Sequence, residues 1–86
     1  MSTPQLHIPA IPFTVDMLAF HIRTPGHRWG QSFYDQLPEE FLKENNILTE
    51  GHENKFFMDI VFNERDDHTA RGLIEASFAL YQELQD

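Results

Sequence analysis

Ile47-Leu48-Thr49-Glu50-Gly51-His52-Glu53-Asn54-Lys55-Phe56-Phe57-Met58-Asp59-Ile60-Val61-Phe62-Asn63 is the stretch on which the fold class turns. Its middle, Glu50-Gly51-His52-Glu53-Asn54, has turn composition and separates two apolar runs. In 55–63 a period of two places Phe56, Met58, Ile60 and Phe62 on one face and Phe57, Asp59, Val61 and Asn63 on the other. That alternation predicts a strand, half buried or nearly wholly buried, paired with a shorter strand over Ile47-Leu48-Thr49. The pair would form a β-hairpin, and because two strands alone are marginal in water it must lie against helices. The pattern leaves open whether Asp59 faces solvent or is buried with Lys55 or an arginine, which would require compensation of its charge.

On the C-terminal side, Asp66 or Asp67 can cap a long amphipathic helix over about 68–84. There Ala70, Leu73, Ile74, Ser77, Phe78, Tyr81 and Leu84 follow the helical period, and Ala76 and Leu80 widen the stripe. On the N-terminal side, Glu39-Glu40-Phe41-Leu42-Lys43-Glu44 suits a short helix opened by Pro38, and Asn45-Asn46 breaks it. Thr24-Pro25 reads as the start of a helix over about 25–37, in which Trp29, Phe33 and Leu37 recur every four residues. An earlier helix over 15–23 is signalled by Thr14 as cap, Asp16 in the first turn and Phe13 against Leu18 as a staple. Its Met17 and Phe20 lie off the stripe of Val15, Leu18, Ala19 and Ile22, so it needs cover on two sides. Residues 1–12 carry Pro4, Pro9 and Pro12 and are expected to be extended, with Leu6-His7-Ile8 at most an edge strand. The expected fold is α+β, one small domain over residues 1–86: two N-terminal helices, a short helix, a β-hairpin and a long C-terminal amphipathic helix.

Eighty-six residues allow one domain at most, and a 41% hydrophobic, 13% aromatic composition with eight Phe supports a folded core. The chain has no Cys, which removes disulfides, thiolate metal clusters and cysteine nucleophiles and points to a reducing compartment. No apolar run approaches the roughly 18 residues of a membrane span, and Met1-Ser2-Thr3-Pro4-Gln5 does not open a signal peptide. The expected location is the cytoplasm, with no membrane partner. So short a chain, with an apolar surplus on its first helix, is expected to form a homodimer.

Charge is distributed unevenly within the net −8. Residues 1–34 hold Asp16 against Arg23 and Arg28, whereas 35–86 hold thirteen carboxylates against Lys43, Lys55, Arg65 and Arg71. Direct nucleic-acid binding is disfavoured, because recognition of a phosphate backbone relies on Lys and Arg. Asp35, Glu39, Glu40, Glu44, Glu50, Glu53, Asp66 and Asp67 instead form a candidate acidic surface. It suits a basic partner, or imitation of nucleic acid towards a host or defence protein that grips DNA or RNA, provided that these carboxylates share one face. The plainer alternative is solubility.

Catalytic signals are sparse. The five histidines show no metal-ligand spacing, and no metal or other cofactor is expected. Ser32 and Ser77 fall within expected helices without a nucleophile elbow, and Gly26, Gly30, Gly51 and Gly72 are too scattered for a phosphate loop. The chain is expected not to be an enzyme. Its most distinctive patch is Thr24-Pro25-Gly26-His27-Arg28-Trp29-Gly30-Gln31-Ser32-Phe33-Tyr34. A glycine in mid-helix costs about 1 kcal/mol relative to Ala, so Gly30 implies either close approach of another helix, with Trp29 and Phe33 as core, or a recognition surface. On the second reading Arg28, Trp29, Gln31 and Tyr34 contact a partner.

Arg28-Trp29-Gly30-Gln31-Ser32-Phe33-Tyr34, followed by Ile60-Val61-Phe62-Asn63-Glu64-Arg65-Asp66-Asp67 and a closing helix, resembles very short proteins of bacteriophages and other mobile elements. Those proteins share an Arg-x-Gly-Gln helix segment and have no established activity; the likeness covers about half the chain. It implies a bacterial or phage context and modulation of a host protein. The functional expectation is a non-enzymatic, acidic protein-protein interaction module. The alternatives are a nucleic-acid mimic and a small structural subunit of a larger assembly.

Overall fold

A computed structural model of the chain describes residues 7–19 and 25–85. Five helices follow one another in them: α1 (Val15–Ala19), α2 (Trp29–Asp35), α3 (Glu39–Glu44), α4 (Glu53–Asn63) and α5 (Asp67–Gln85). No strand occurs among the described residues, so the expected α+β class and its β-hairpin give way to an all-helical fold.

The stretch expected to be the second strand is α4. Its apolar residues are so nearly continuous that periods of 2 and 3.6 both fit them, and the choice falls to the polar groups. His52 caps the helix, its Nδ1 accepting the Asn54 N–H at 3.1 Å. Lys55 Nζ reaches Asp59 Oδ2 at 2.8 Å, and Asn63 Nδ2 donates to the Asp59 carbonyl at 2.8 Å. Both are i,i+4 links that an extended chain cannot make. The buried positions Phe57, Met58 and Val61 then form one helical face.

Ile47-Leu48-Thr49, expected as the first strand, closes α3 instead. Asn46 takes the left-handed conformation (φ 58°). The Ile47 N–H donates to the Leu42 carbonyl at 2.9 Å and the Asn46 N–H to the Lys43 carbonyl at 3.3 Å. This is a Schellman motif, and the buried pair Leu42 and Ile47 is its hydrophobic contact. Asn54 Nδ2 donates to the Asn45 carbonyl at 2.7 Å, tying the first turn of α4 to the end of α3.

The other boundaries follow local chemistry. Thr14 caps α1, its Oγ1 accepting the Met17 N–H at 3.1 Å; residues 20–23 of the expected first helix lie outside the described residues. The second helix starts at Trp29 and not at 25, because Pro25 and Gly26 sit in a turn that Gly26 closes with φ 83°. Thr24, its expected cap, is outside the described residues. The capping work passes to Gln31, whose Oε1 accepts the Arg28 N–H at 3.1 Å. Pro38 precedes α3 as expected. Asp66 caps α5, its Oδ1 accepting the His68 N–H at 3.2 Å and its Oδ2 the Thr69 hydroxyl at 2.7 Å.

Helices α2, α4 and α5 pack on one another. Gly30 makes the α2–α4 crossing possible: a Cβ there would overlap the Val61 carbonyl oxygen and lie 3.3 Å from the Phe62 Cα. Close helix approach is thus the use of the missing side chain. Trp29 stacks on Phe33 at 5.0 Å, and Phe33 meets Phe13 edge-on at 5.5 Å. Phe13 comes from the irregular N-terminal segment, where Ile11 and Phe13 are buried in the core and Leu6, part of the suggested edge strand, is outside the described residues. Ser77 of α5 holds that segment. Its hydroxyl donates to the Pro9 carbonyl at 2.6 Å and accepts the Ile11 N–H at 3.1 Å.

Candidate functional site

The four residues expected to contact a partner are brought together by α2, and each has an intramolecular role. Trp29 is 8% exposed and stacked in the core, and its backbone N–H donates to Asp67 Oδ1 at 3.0 Å. Arg28 is half-buried, with Nε donating to the Phe62 carbonyl at 3.4 Å. Gln31 closes the start of α2 as described, and Tyr34 meets the Phe62 ring edge-on at 5.5 Å. Arg28 and Tyr34 thus join α2 to the end of α4, and Trp29 joins it to the start of α5.

The expected acidic residues are divided among different tasks. Asp35, Glu39, Glu40, Glu44, Glu50, Glu53 and Asp66 are exposed, and Asp67 is half-buried. Glu39 pairs with Lys43 at 3.2 Å, Glu50 with Lys55 at 3.5 Å, and Glu53 faces His7 Nε2 at 3.5 Å. Asp66 and Asp67 accept hydrogen bonds that start α5 and α2 respectively. The Thr69 hydroxyl, above all, with the His68 N–H, holds the Asp66 carboxyl below its ordinary range.

A surface that the strand reading concealed lies at the N-terminal end of α4. Phe56 is 62% exposed although it opens an apolar run. Core-facing Phe57, Met58 and Val61 turn it outward, and residues three apart on a helix are neighbours, so Glu53 and Asp59 flank it one turn before and one turn after. Glu50, Gly51 and His52 complete the wall of a depression of about 400 Å³. Gly51 makes the turn there with φ 83°. Lys55 bridges the carboxylates of Glu50 and Asp59. The hydrogen bond to Asp59, reinforced by the negative charge of both partners, raises the Lys55 ammonium above its ordinary pKa. Asp59 is therefore solvent-facing and paired with Lys55. The signal in the sequence was the i,i+3 series Glu53, Phe56, Asp59, which only a helical register makes visible.

A smaller depression, about 260 Å³, separates α1 from α2 and is lined by Asp16, Met17, Phe33, Gln36, Leu37 and Pro38. Among the described residues no group of three or more His, Asp or Glu is placed to hold a metal ion. Ser77, considered as a hydroxyl in a helix, is fully buried and committed to Pro9 and Ile11. No helix among the described residues is long and apolar enough to cross a membrane. Compared with protein-family models, with curated proteins and with solved structures, the chain matches none.

Proposed function

We propose that this chain works by binding another protein, not by catalysis, and that it docks through the Phe56 face of α4. The observation that carries this reading is a phenylalanine 62% exposed and ringed by charged side chains. Leaving such a ring largely in water forgoes part of the roughly 1.5–3 kcal/mol that full burial would supply, which a partner can recover. Arg28 and Tyr34 serve this surface at one remove, by fixing α4 against α2, while Trp29 ties α2 to α5 and Gln31 closes the start of α2. Modulation of a bacterial host protein is the setting that the Arg28–Tyr34 resemblance suggests. Nucleic-acid mimicry draws less support, because Asp66 and Asp67 are committed to backbone N–H groups and Glu39 pairs with Lys43 within its own helix.

The test is a photoreactive phenylalanine analogue placed at position 56, 34 or 84 of the tagged protein, irradiated in nuclease-treated bacterial lysate. A discrete protein adduct from position 56, absent from the control at exposed Leu84, is expected. Adducts from position 34 without any from 56 would move the interface to α2. Adducts only with a second copy of the chain would make the homodimer the bound state.

A further inference from the structure

We infer that the group seated on the Phe56 face is the guanidinium of an arginine in the partner protein; the inference rests on the protein-binding reading above. Two features of the surface converge on it. Phe56 is 62% exposed, and a cation above an aromatic ring is attracted by its quadrupole. Glu53 and Asp59 lie one turn to either side on the same helix, with side chains 58% and 57% exposed, and Glu50, 89% exposed, stands at the rim. A planar guanidinium can stack on the ring and direct its edge N–H groups to a carboxylate, a combination that a compact ammonium matches less well.

The charge count excludes the competing occupants. Three carboxylates face one ammonium in the depression; Lys55 already bridges two of them, and His7 Nε2 stands 3.5 Å from the third, Glu53. The depression is thus net negative and repels phosphate backbones and anionic lipid surfaces. A second copy meeting this face symmetrically would bring the same three carboxylates to the contact, and like charges in an interface are costly. A cationic segment is complementary where those three are not. The intramolecular Lys55 bridge keeps the carboxylates positioned, as the first half of a site that an arginine completes.

The test is a titration of the full chain, labelled with 15N, with blocked tetra-arginine and, separately, tetra-lysine peptides, followed by residue-resolved NMR at about 150 mM salt, where diffuse attraction is screened. Expected shifts concentrate at Glu50, Glu53, Phe56 and Asp59 and leave the exposed carboxylates of α3 unmoved. Tetra-arginine is expected to bind more tightly than tetra-lysine. Phe56→Leu keeps an apolar side chain at an exposed site but removes the ring face, and is expected to weaken tetra-arginine by about two- to fivefold, the factor such a cation–π contact supplies. Asp59→Asn, with fold checked by circular dichroism, is expected to weaken it further.

Equal affinity for the two peptides, shifts spread over every exposed carboxylate, or an unchanged Phe56→Leu affinity would each overturn the inference. So would concentration-dependent shifts of this face without peptide, which would identify a second copy as occupant. If the position-56 adduct forms in lysate and excess tetra-arginine does not compete with it, the guanidinium assignment fails while the protein-binding reading stands. Binding of tetra-arginine at this face with no protein adduct from position 56 would instead defeat the docking reading on which the inference rests.

Discussion

Substituting Gly30 by alanine probes the crossing that sets α2 against α4. The added methyl would overlap the Val61 carbonyl oxygen and lie 2.7 Å from the Val61 carbonyl carbon and 3.3 Å from the Phe62 Cα. All three atoms are backbone, so no rotamer change makes room and the helices must separate. Overpacking of this kind costs about 1–3 kcal/mol. Separation also weakens the Arg28–Phe62 hydrogen bond, worth about 0.5–1.5 kcal/mol. The better helix propensity of alanine offsets at most about 1 kcal/mol, because Gly30 lies in the first turn of α2. The net expectation is a loss of about 2 kcal/mol, and at roughly 4–8 °C per kcal/mol for a domain of this size the Tm falls by about 8–16 °C. Gly72 is the internal control: it lies within α5, exposed, with nothing within 4 Å of its hypothetical Cβ. Gly72→Ala should therefore stabilise by about 1 kcal/mol. Urea denaturation followed by far-ultraviolet circular dichroism and by Trp29 fluorescence measures both variants. If Gly30→Ala is as stable as the parent chain or more so, the close-crossing argument is wrong.

Three further outcomes follow from the same geometry. Ser77→Ala strips the Pro9 carbonyl and Ile11 N–H of the partner that joins them to α5, and should cost about 1–3 kcal/mol with faster amide exchange at Ile11; unchanged exchange would show that the hydroxyl is not what holds the segment. Asn46→Ala places an ordinary side chain at φ 58° and should lose about 1 kcal/mol in urea titration, whereas Asn46→Gly should not be less stable than the parent. The folded Asp66 carboxyl titrates below its unfolded value near 3.8, so its stabilisation is complete above that pH and disappears as the pH falls through the lowered folded value. Thr69→Val removes the principal hydrogen bond, and the 13C-detected titration of Asp66 should move up; a titration unaltered by that change would refute the assignment.

What the sequence made legible and what it hid divide along a physical line. Short-range side-chain chemistry was readable: Thr14 at the start of α1, Pro38 before α3, and Asp66 or Asp67 before α5, whereas Gly30 was readable only as a choice between close approach and a recognition surface. The register of 53–63 was not, because Phe56-Phe57-Met58 and Ile60-Val61-Phe62 satisfy either period. The Lys55–Asp59 link that settles it looks like a same-face pair in both. Asn45-Asn46 was legible as a break, yet the break reverses the chain through a left-handed residue and makes Ile47 part of a helix end instead of a strand. The candidate surface followed the same fate. Composition singled out Arg28 and Trp29, residue types common in interfaces, but the tertiary bonds to Phe62 and Asp67 that occupy them come from more than thirty residues away. Phe56 was marked only by the i,i+3 series Glu53, Phe56, Asp59, which stays hidden until the register decides which face of α4 meets the core.

The bond between Ser77 and the N-terminal segment also imposes an order of events on synthesis. Ile11 and its clamp are 66 positions apart. At about 5–20 residues per second, a ribosome adds Ser77 roughly 3–13 s after Ile11 has been joined to the chain. During that interval Ile11 and Phe13 are apolar side chains without their final cover, a condition that invites strand-to-strand association in a nascent chain. Pro9 and Pro12 stand beside them, and a proline has no N–H to give to a growing ladder. The same prolines that keep the segment out of a helix in the finished fold thus act as guards while the clamp is still unmade.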